Sequence, residues 1–235
     1  MKPLKKACEM SAAELAEYID QSVLKPEFTQ DEISKYIQEG IGYGCKTVCI
    51  NPASFPIARK LTKGTKTKIC VVCDFPFGLS STASKVLQAE EICRQGEVFE
   101  LDVVANYGWI RSGLWDAAER DIQAVVETCH QYGTAVKVIF ETDALTLEQV
   151  RKSTEIAIAA GADFAKTSTG FFTGGKNVGA TTEVIQAMLD TAKGRIQVKG
   201  SGCIRTREHF LELIDMGIDR MGVGFKSTPV VLGIQ

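Results

Sequence analysis

Eight short apolar runs alternate with seven helix-like segments along this chain, and few architectures accept that order. The runs span residues 18–22, 47–50, 68–75, 98–105, 135–141, 164–168, 197–201 and 220–224. Most are rich in Val, Ile or Phe and bounded by Gly, Pro or polar residues, so they read as strands. Between them, 29–40, 52–61, 84–95, 114–132, 147–160, 182–192 and 207–216 carry helical patterns, and several stop at a glycine, as in QEG, AAG and DMG. Alternation of this kind implies a parallel sheet covered by helices. Eight such units in 235 residues suggest a closed (β/α)8 TIM barrel forming one domain, residues 1–235. An open dinucleotide-binding sheet would need a glycine fingerprint directly after the first strand, where the chain reads QSVLKP.

Composition removes several classes of partner. The net charge is −2, from 27 basic and 29 acidic residues, and gives no reason to expect nucleic acid or an anionic membrane. No apolar run approaches a membrane span, and the basic start, MKPLKKACEM, lacks the apolar core of a signal peptide. That start reads as a frayed, solvated terminus and the chain as cytoplasmic; a homo-oligomer is left open. The eight cysteines read as reduced thiols in a chain large enough to stand without disulfide staples. Cys70 and Cys73 have metal-ligand spacing, but on a strand residues three apart face opposite sides. With no second such pair and only two histidines, neither metal nor other cofactor is expected.

Two lysines stand out against this pattern. Lys166 lies near the end of the sixth run and Lys199 near the end of the seventh, and each precedes a glycine within four residues. Barrel enzymes take their catalytic groups from strand C-terminal ends on one face. Adjacent strands lie about 4.8 Å apart, so two inward lysines there share a cavity. Burial and a neighbouring cation both disfavour an ammonium, and a neutral amine attacks carbonyls to form a Schiff base. Asp102 in FELDVVAN and Lys137 in AVKVIFE occupy comparable places, bringing four charges toward the barrel interior. For Asp102 and Lys137 alone, a structural ion pair is an equal reading.

The segments YIDQSVLKP, TVCINP, DFPFG, ELDVVAN, VKVIFET, GADFAKTSTGFFTGG, VKGSGCIRT and DRMGVGF resemble the deoxyribose-phosphate aldolase family nearly end to end. The resemblance implies a class I aldolase, needing no metal, that cleaves 2-deoxy-D-ribose 5-phosphate reversibly to acetaldehyde and glyceraldehyde 3-phosphate in carbohydrate catabolism. It implies Lys166 as the Schiff-base lysine and Lys199 as the cation beside it. It also implies Asp102 as acid and base through a water, with Lys137 holding Asp102. Asp20 matches a further polar residue of the family pocket and Cys49 a substrate-side cysteine, although small buried thiols are common core residues. Thr169, Gly170, Gly202, Cys203, Gly222, Gly224 and Phe225 fall at the substrate and phosphate end.

That end departs from the family pattern. Gly202-Cys203 stands where two glycines are frequent, and the Cβ of Cys203 threatens the phosphate approach. Gly224-Phe225 replaces the serines of a Gly-Ala-Ser-Ser ending, and Gln21-Ser22 replaces His-Thr. Lys226 and Ser227 sit close enough to substitute. Residues 227–235 remain for a closing helix and resemble no tail that reaches the site. An aromatic at 225 suits an uncharged acceptor, so a non-phosphorylated aldol is the alternative substrate. A non-catalytic, small-molecule-binding barrel is a third reading.

Overall fold

The fold is a closed ring of eight parallel strands, described by a computed structural model for residues 3–234. The strands are β1 (Ile19–Val23), β2 (Thr47–Ile50), β3 (Lys68–Cys73), β4 (Val98–Val104), β5 (Ala135–Ile139), β6 (Phe164–Lys166), β7 (Gln197–Ser201) and β8 (Arg220–Gly224). They pair in chain order, and β8 closes on β1. All eight expected strands are present, three with identical bounds. The (β/α)8 TIM barrel expected from the alternation is the architecture observed.

Among the described residues, ten α-helices surround the ring: α1 (Ala12–Ala16), α2 (Gln30–Tyr43), α3 (Phe55–Thr62), α4 (Thr82–Arg94), α5 (Tyr107–Arg111), α6 (Trp115–His130), α7 (Leu147–Ala159), α8 (Thr182–Ala192), α9 (Arg207–Met216) and α10 (Thr228–Leu232). None is long and apolar enough to cross a membrane. Seven of them start at a side-chain cap, the exceptions being α3, α6 and α10. Ser11, Thr29 and Thr146 each accept from the backbone N–H three residues on, with the residue there answering through its own side chain. Outward strand residues such as Val48, Val71, Leu101, Val136, Ala165 and Val198 are buried beneath the helices in one continuous core.

Several local expectations need correction. Gly40 does not end α2, which runs to Tyr43 and stops at Gly44 in the left-handed region. Gly40 is small because the helix presses there on β1 and β2. A Cβ at that position would lie 3.0 Å from Val48 and 3.1 Å from Gln21. The segment 52–61 divides into a 3₁₀ turn, Pro52–Ser54, followed by α3. The chain start is not frayed through residue 10: Ala7–Glu9 form a 3₁₀ turn, Ala7 is buried, and its N–H donates to Asp215 at 2.8 Å. Met1 and Lys2 lie outside the described residues. The short helices α1, α5 and α10 had no clear periodicity over five residues.

The long connection from β6 to α8 is held against the β7 loop by backbone contact. Ala180 N–H donates to Gly202 O at 3.1 Å. Gly179 makes this approach with a φ of +64°, and a Cβ there would sit 2.2 Å from Gly202 O. We expect Gly179→Ala to cost about 2 kcal/mol or more, from left-handed strain plus the clash. Gly42 lies inside α2 with open space around it. Gly42→Ala should instead stabilise by about 0.5–1 kcal/mol. Urea midpoints of the two variants moving in the same direction would contradict this account.

Candidate active site

Strand register brings the charged residues together in the barrel interior. Asp102 pairs with Lys137 across β4 and β5, and Lys166 pairs with Lys199 across β6 and β7. Asp102 Oδ1 accepts from Lys137 Nζ at 3.0 Å, and Oδ2 accepts from both Lys166 Nζ and Lys199 Nζ at 2.7 Å. On β1, Asp20 Oδ2 lies 2.5 Å from Lys199 Nζ and 3.6 Å from Lys137 Nζ. Its Oδ1 accepts from Thr47 Oγ1 at 2.8 Å and from Arg220 Nη1 at 2.7 Å. The sequence pointed to the convergence of Asp102, Lys137, Lys166 and Lys199, and the family resemblance added Asp20.

It did not point to Glu100 and Arg220, which complete the network. Arg220 Nη1 donates to Glu100 Oε2 at 3.1 Å, and Lys137 forms a close ion pair with the same carboxylate. Both cations also face the Phe164 ring at 5.5 Å, which closes the chamber below. The only signals in the sequence were a glutamate two residues before Asp102 and an arginine opening an apolar strand. Lys137, Lys166, Lys199 and Arg220 therefore meet Asp20, Glu100 and Asp102, all buried, four cations against three anions. The pairing of Asp102 with Lys137 is part of this larger network.

Burial alone would raise the Asp102 pKa, but Lys137, Lys166 and Lys199 overcome it and hold the carboxyl well below its ordinary range. Asp20 is likewise held low, with Lys199, Lys137 and Arg220 outweighing burial. Burial works against the Lys199 ammonium, yet Asp102 and Asp20 keep its pKa above the ordinary lysine value. Lys137 is held charged in the same way, by Asp102, Asp20 and Glu100 among others.

Above the network opens a cavity of about 570 Å³. Of the three lysines that meet Asp102, Lys166 alone lines it, with 3% of its surface exposed. Thr169, Gly170, Gly202, Cys203, Gly222, Gly224 and Phe225 all line it as well. Gly222 leaves room for the neighbouring lysine: a Cβ there would meet Ser201 Cβ at 2.9 Å and Lys199 Cε at 3.5 Å. Thr169 is held from behind by the buried carboxylate of Glu141, which accepts from its hydroxyl and, at 3.4 Å, from its N–H. Cys49 is not in the lining; it is buried with Leu24, Cys70, Val72, Phe75 and Phe171 in the chamber wall. Cys70 also faces inward, donating to Asp102 Oδ1 at 3.1 Å, whereas Cys73 points outward to Gln88.

The altered residues at the mouth each take a defined place in its wall. Cys203 takes a φ of +58°, a conformation that favours glycine, and its thiol donates to Asn177 O at 3.3 Å. The Phe225 ring packs on Tyr36 at 3.8 Å and edge-on to Phe28 at 5.3 Å, anchoring the β8 loop to α2 and its approach. Gln21 faces out of the barrel and donates to Tyr36 O at 2.5 Å, leaving Ser22 in the cavity. Lys25, Arg205 and Lys226 join the lining with Lys166, and among the described residues no carboxylate does. Lys25 and Arg205 were legible within the LKP and CIRT segments only as neighbours of other residues.

Removing the central carboxylate tests the network directly. Asp102→Asn leaves three ammonium groups without their shared anion and should destabilise the fold by about 3–5 kcal/mol. Asp20 and Asp102 titrate lower when folded, so their stabilisation is complete above the unfolded aspartate pKa of about 3.9 and is withdrawn as pH falls below it. The urea midpoint of the unaltered chain should fall on acidification below about pH 4, and less steeply in Asp102→Asn. Parallel acid limbs for the two would show that Asp102 does not carry this dependence.

Residues 15–227 match the model of the DeoC/LacD family aldolases. Deoxyribose-phosphate aldolase 1 of Staphylococcus aureus (strain MRSA252) is 40% identical over 218 residues, covering 93% of this chain and 96% of that enzyme. The deoxyribose-phosphate aldolase of Staphylococcus carnosus (strain TM300) is 41% identical over 220 residues, 94% of this chain and 96% of its own. Among solved structures, the aldolase QR15 superposes with a TM-score of 0.84 at 35% identity, covering 94% of this chain and 95% of its own. The tetrameric deoxyribose phosphate aldolase of Aeropyrum pernix gives a TM-score of 0.81 at 29% identity, covering 95% of this chain and 91% of that one. Barrel, buried lysine pair and full-length similarity agree, and the chain belongs to the DeoC/LacD family of aldolases.

Proposed function

We propose that Lys166 is the Schiff-base nucleophile of a deoxyribose-phosphate aldolase whose substrate phosphate is held at the cationic mouth of the barrel. The observation that carries this reading is Asp102 Oδ2, shared at 2.7 Å by Lys166 and Lys199, with only Lys166 open to the cavity. Lys166 is the surplus cation: once its amine is neutral, three cations face three anions below it. Lys199 stays charged between Asp102 and Asp20, a fixed positive group beside the nucleophile.

The amine adds to the aldehyde carbon of the open-chain sugar phosphate, and loss of water from the carbinolamine gives an iminium. Its positive nitrogen accepts the electron pair of the C2–C3 bond as the C3 hydroxyl gives up its proton. Glyceraldehyde 3-phosphate leaves, and the two-carbon enamine stays on Lys166. Protonation at C2 regenerates an iminium, which water hydrolyses to acetaldehyde and free lysine. Once Lys166 is bonded to carbon, Asp102 Oδ2 has a lone pair for a water that relays these protons, while Lys137 and Lys199 keep the carboxylate in place. The reading carries with it a small-molecule, metal-independent enzyme of the cytoplasm.

The phosphate assignment rests on charge. Lys25, Arg205 and Lys226 surround a mouth whose lining, among the described residues, holds no carboxylate, and Phe225 is occupied by Tyr36 and Phe28. Backbone N–H groups of the loops after β7 and β8 supply further donors. The long guanidinium and ammonium side chains replace the missing serine hydroxyls as charge-assisted partners.

Incubation with deoxyribose 5-phosphate and borohydride should add a two-carbon fragment at Lys166, and none in Lys166→Arg. Lys199→Leu should lower kcat by roughly 100-fold. Arg205→Ala and Lys226→Ala should raise KM with little change in kcat. Deoxyribose without phosphate should be turned over about 100-fold less efficiently, the worth of two charge-assisted contacts. Equal efficiency on both sugars would remove the phosphate assignment and favour the non-phosphorylated substrate, and unmodified Lys166 during turnover would remove the mechanism.

A further inference from the structure

Beneath the cavity, the structure sets two thiols, which the Schiff-base chemistry does not use, against the carboxylate of Asp102. Cys49 on β2 and Cys70 on β3 are direct register partners, and both side chains face the barrel interior. Cys70 Sγ donates to Asp102 Oδ1 at 3.1 Å, and Cys49 Sγ lies 3.9 Å from Oδ2. The two sulfurs and a carboxylate oxygen all lie within 4.8 Å of one another. We propose that Cys49, Cys70 and Asp102 form a binding site for a thiophilic divalent cation of the Zn²⁺ or Cd²⁺ type, and that its occupancy switches the aldolase off.

Geometry favours a metal over a direct disulfide. A disulfide needs Cβ atoms about 3.5–4.5 Å apart, tight for in-register residues on strands about 4.8 Å apart. A metal with sulfur bonds of about 2.3 Å bridges sulfurs up to about 4.6 Å apart and accepts a carboxylate oxygen at about 2.0–2.2 Å. Three protein ligands of this kind leave a fourth position open, here toward Lys166.

Charge balance removes the obvious objection, the three ammonium groups nearby. Binding exchanges one divalent cation for two thiol protons: Zn²⁺ plus two R–SH gives Zn(SR)₂ plus two H⁺, with no change of oxidation state. The net charge of the two thiols, Asp102 and the metal is then the same as that of the thiols and Asp102 before. Lys137 Nζ, already 3.4 Å from Cys70 Sγ, remains as a partner for the new thiolate. The cluster lies directly beneath the cavity, because Leu24 and Phe171 both pack on the cysteines and line the cavity above them. Binding draws the Asp102 carboxylate onto the metal and away from Lys166, whose Schiff-base chemistry depends on it. That last step rests on the proposed function; the binding site itself does not.

Cadmium titration of the full chain, followed by thiolate-to-cadmium absorption in the ultraviolet, reads binding without any assay of activity. Borohydride trapping of the substrate on Lys166 reads the functional consequence separately. Cys93 and Cys129, a second buried thiol pair outside the barrel, are the internal competitor. One tight equivalent of Cd²⁺ is expected, abolishing trapping and reversed by a chelator, while Mg²⁺ does neither. Cys70→Ser keeps a hydroxyl toward Asp102 but should weaken cadmium binding roughly 100-fold; Cys129→Ala should leave it unchanged. Cadmium absorption that survives in Cys70→Ser and disappears in Cys129→Ala would place the metal at the outer pair and overturn the site. Full occupancy with undiminished trapping would overturn the switch alone, and absent trapping without metal would count against the aldolase reading instead.

Discussion

The shared carboxylate of Asp102 is the contact on which the rest of the structure depends. Three lysines from three different strands end on its two oxygens in a buried layer of the barrel. Each of these charges costs several kcal/mol to bury, and the network compensates only when every partner is present. A closed barrel is suited to this requirement, because inward residues of all its strands meet near one axis. Register is then strongly specified: a one-residue slip of β6 or β7 would turn Lys166 or Lys199 into the apolar layer beneath the helices.

The chamber divides into levels with different tasks. At the bottom, Phe164, Arg220 and Glu100 seal the barrel with an aromatic floor and a buried ion pair. In the middle, Asp20, Lys137 and Lys199 fix the charge and position of Asp102. At the top, Lys166 meets the cavity and the loops that follow the strands. A nucleophile at the boundary between a dry charged layer and an open pocket has one side held rigidly and the other free to react. Glu141 extends this logic to the β6 loop. Burial raises its pKa despite its bonds to Thr169, and it anchors Thr169 from a strained left-handed position at the end of β5.

Much of this was legible in the sequence, for identifiable reasons. Strand placement followed from short Val- and Ile-rich runs, and the two lysines were visible because charge inside such a run is costly. Strand ends were less legible: β6 stops at Lys166, while Thr167 and Ser168 turn to bond Ser201 and Thr142. Glu100 and Arg220 escaped notice because their partners lie 120 positions apart along the chain and nothing local marks the pairing. Gly40 misled because a glycine required by helix-to-strand contact is spelled like a helix stop. Lys25 and Arg205 gained meaning only when the cavity put them on one rim.

The mouth of the barrel shows why substrate recognition varies more freely than chemistry in such a fold. Asp102 has no neutral substitute, since each change leaves a buried cation unpaired. The loops after β7 and β8 face no such restriction. Replacing the serines with Gly224-Phe225 removes two hydroxyls, but the ring packs against Tyr36 and Phe28, and Lys226 lies 5.8 Å from it over its face. Cys203 accepts a backbone conformation meant for glycine and turns its thiol to Asn177. Each loss of a neutral donor is therefore met by a solvated cation or a relocated side chain at the rim. Substitutions there cost little because the groups are half-exposed, whereas those below are coupled through one carboxylate. The same coupling makes the thiols of Cys49 and Cys70 consequential: any ligand they take also takes hold of Asp102.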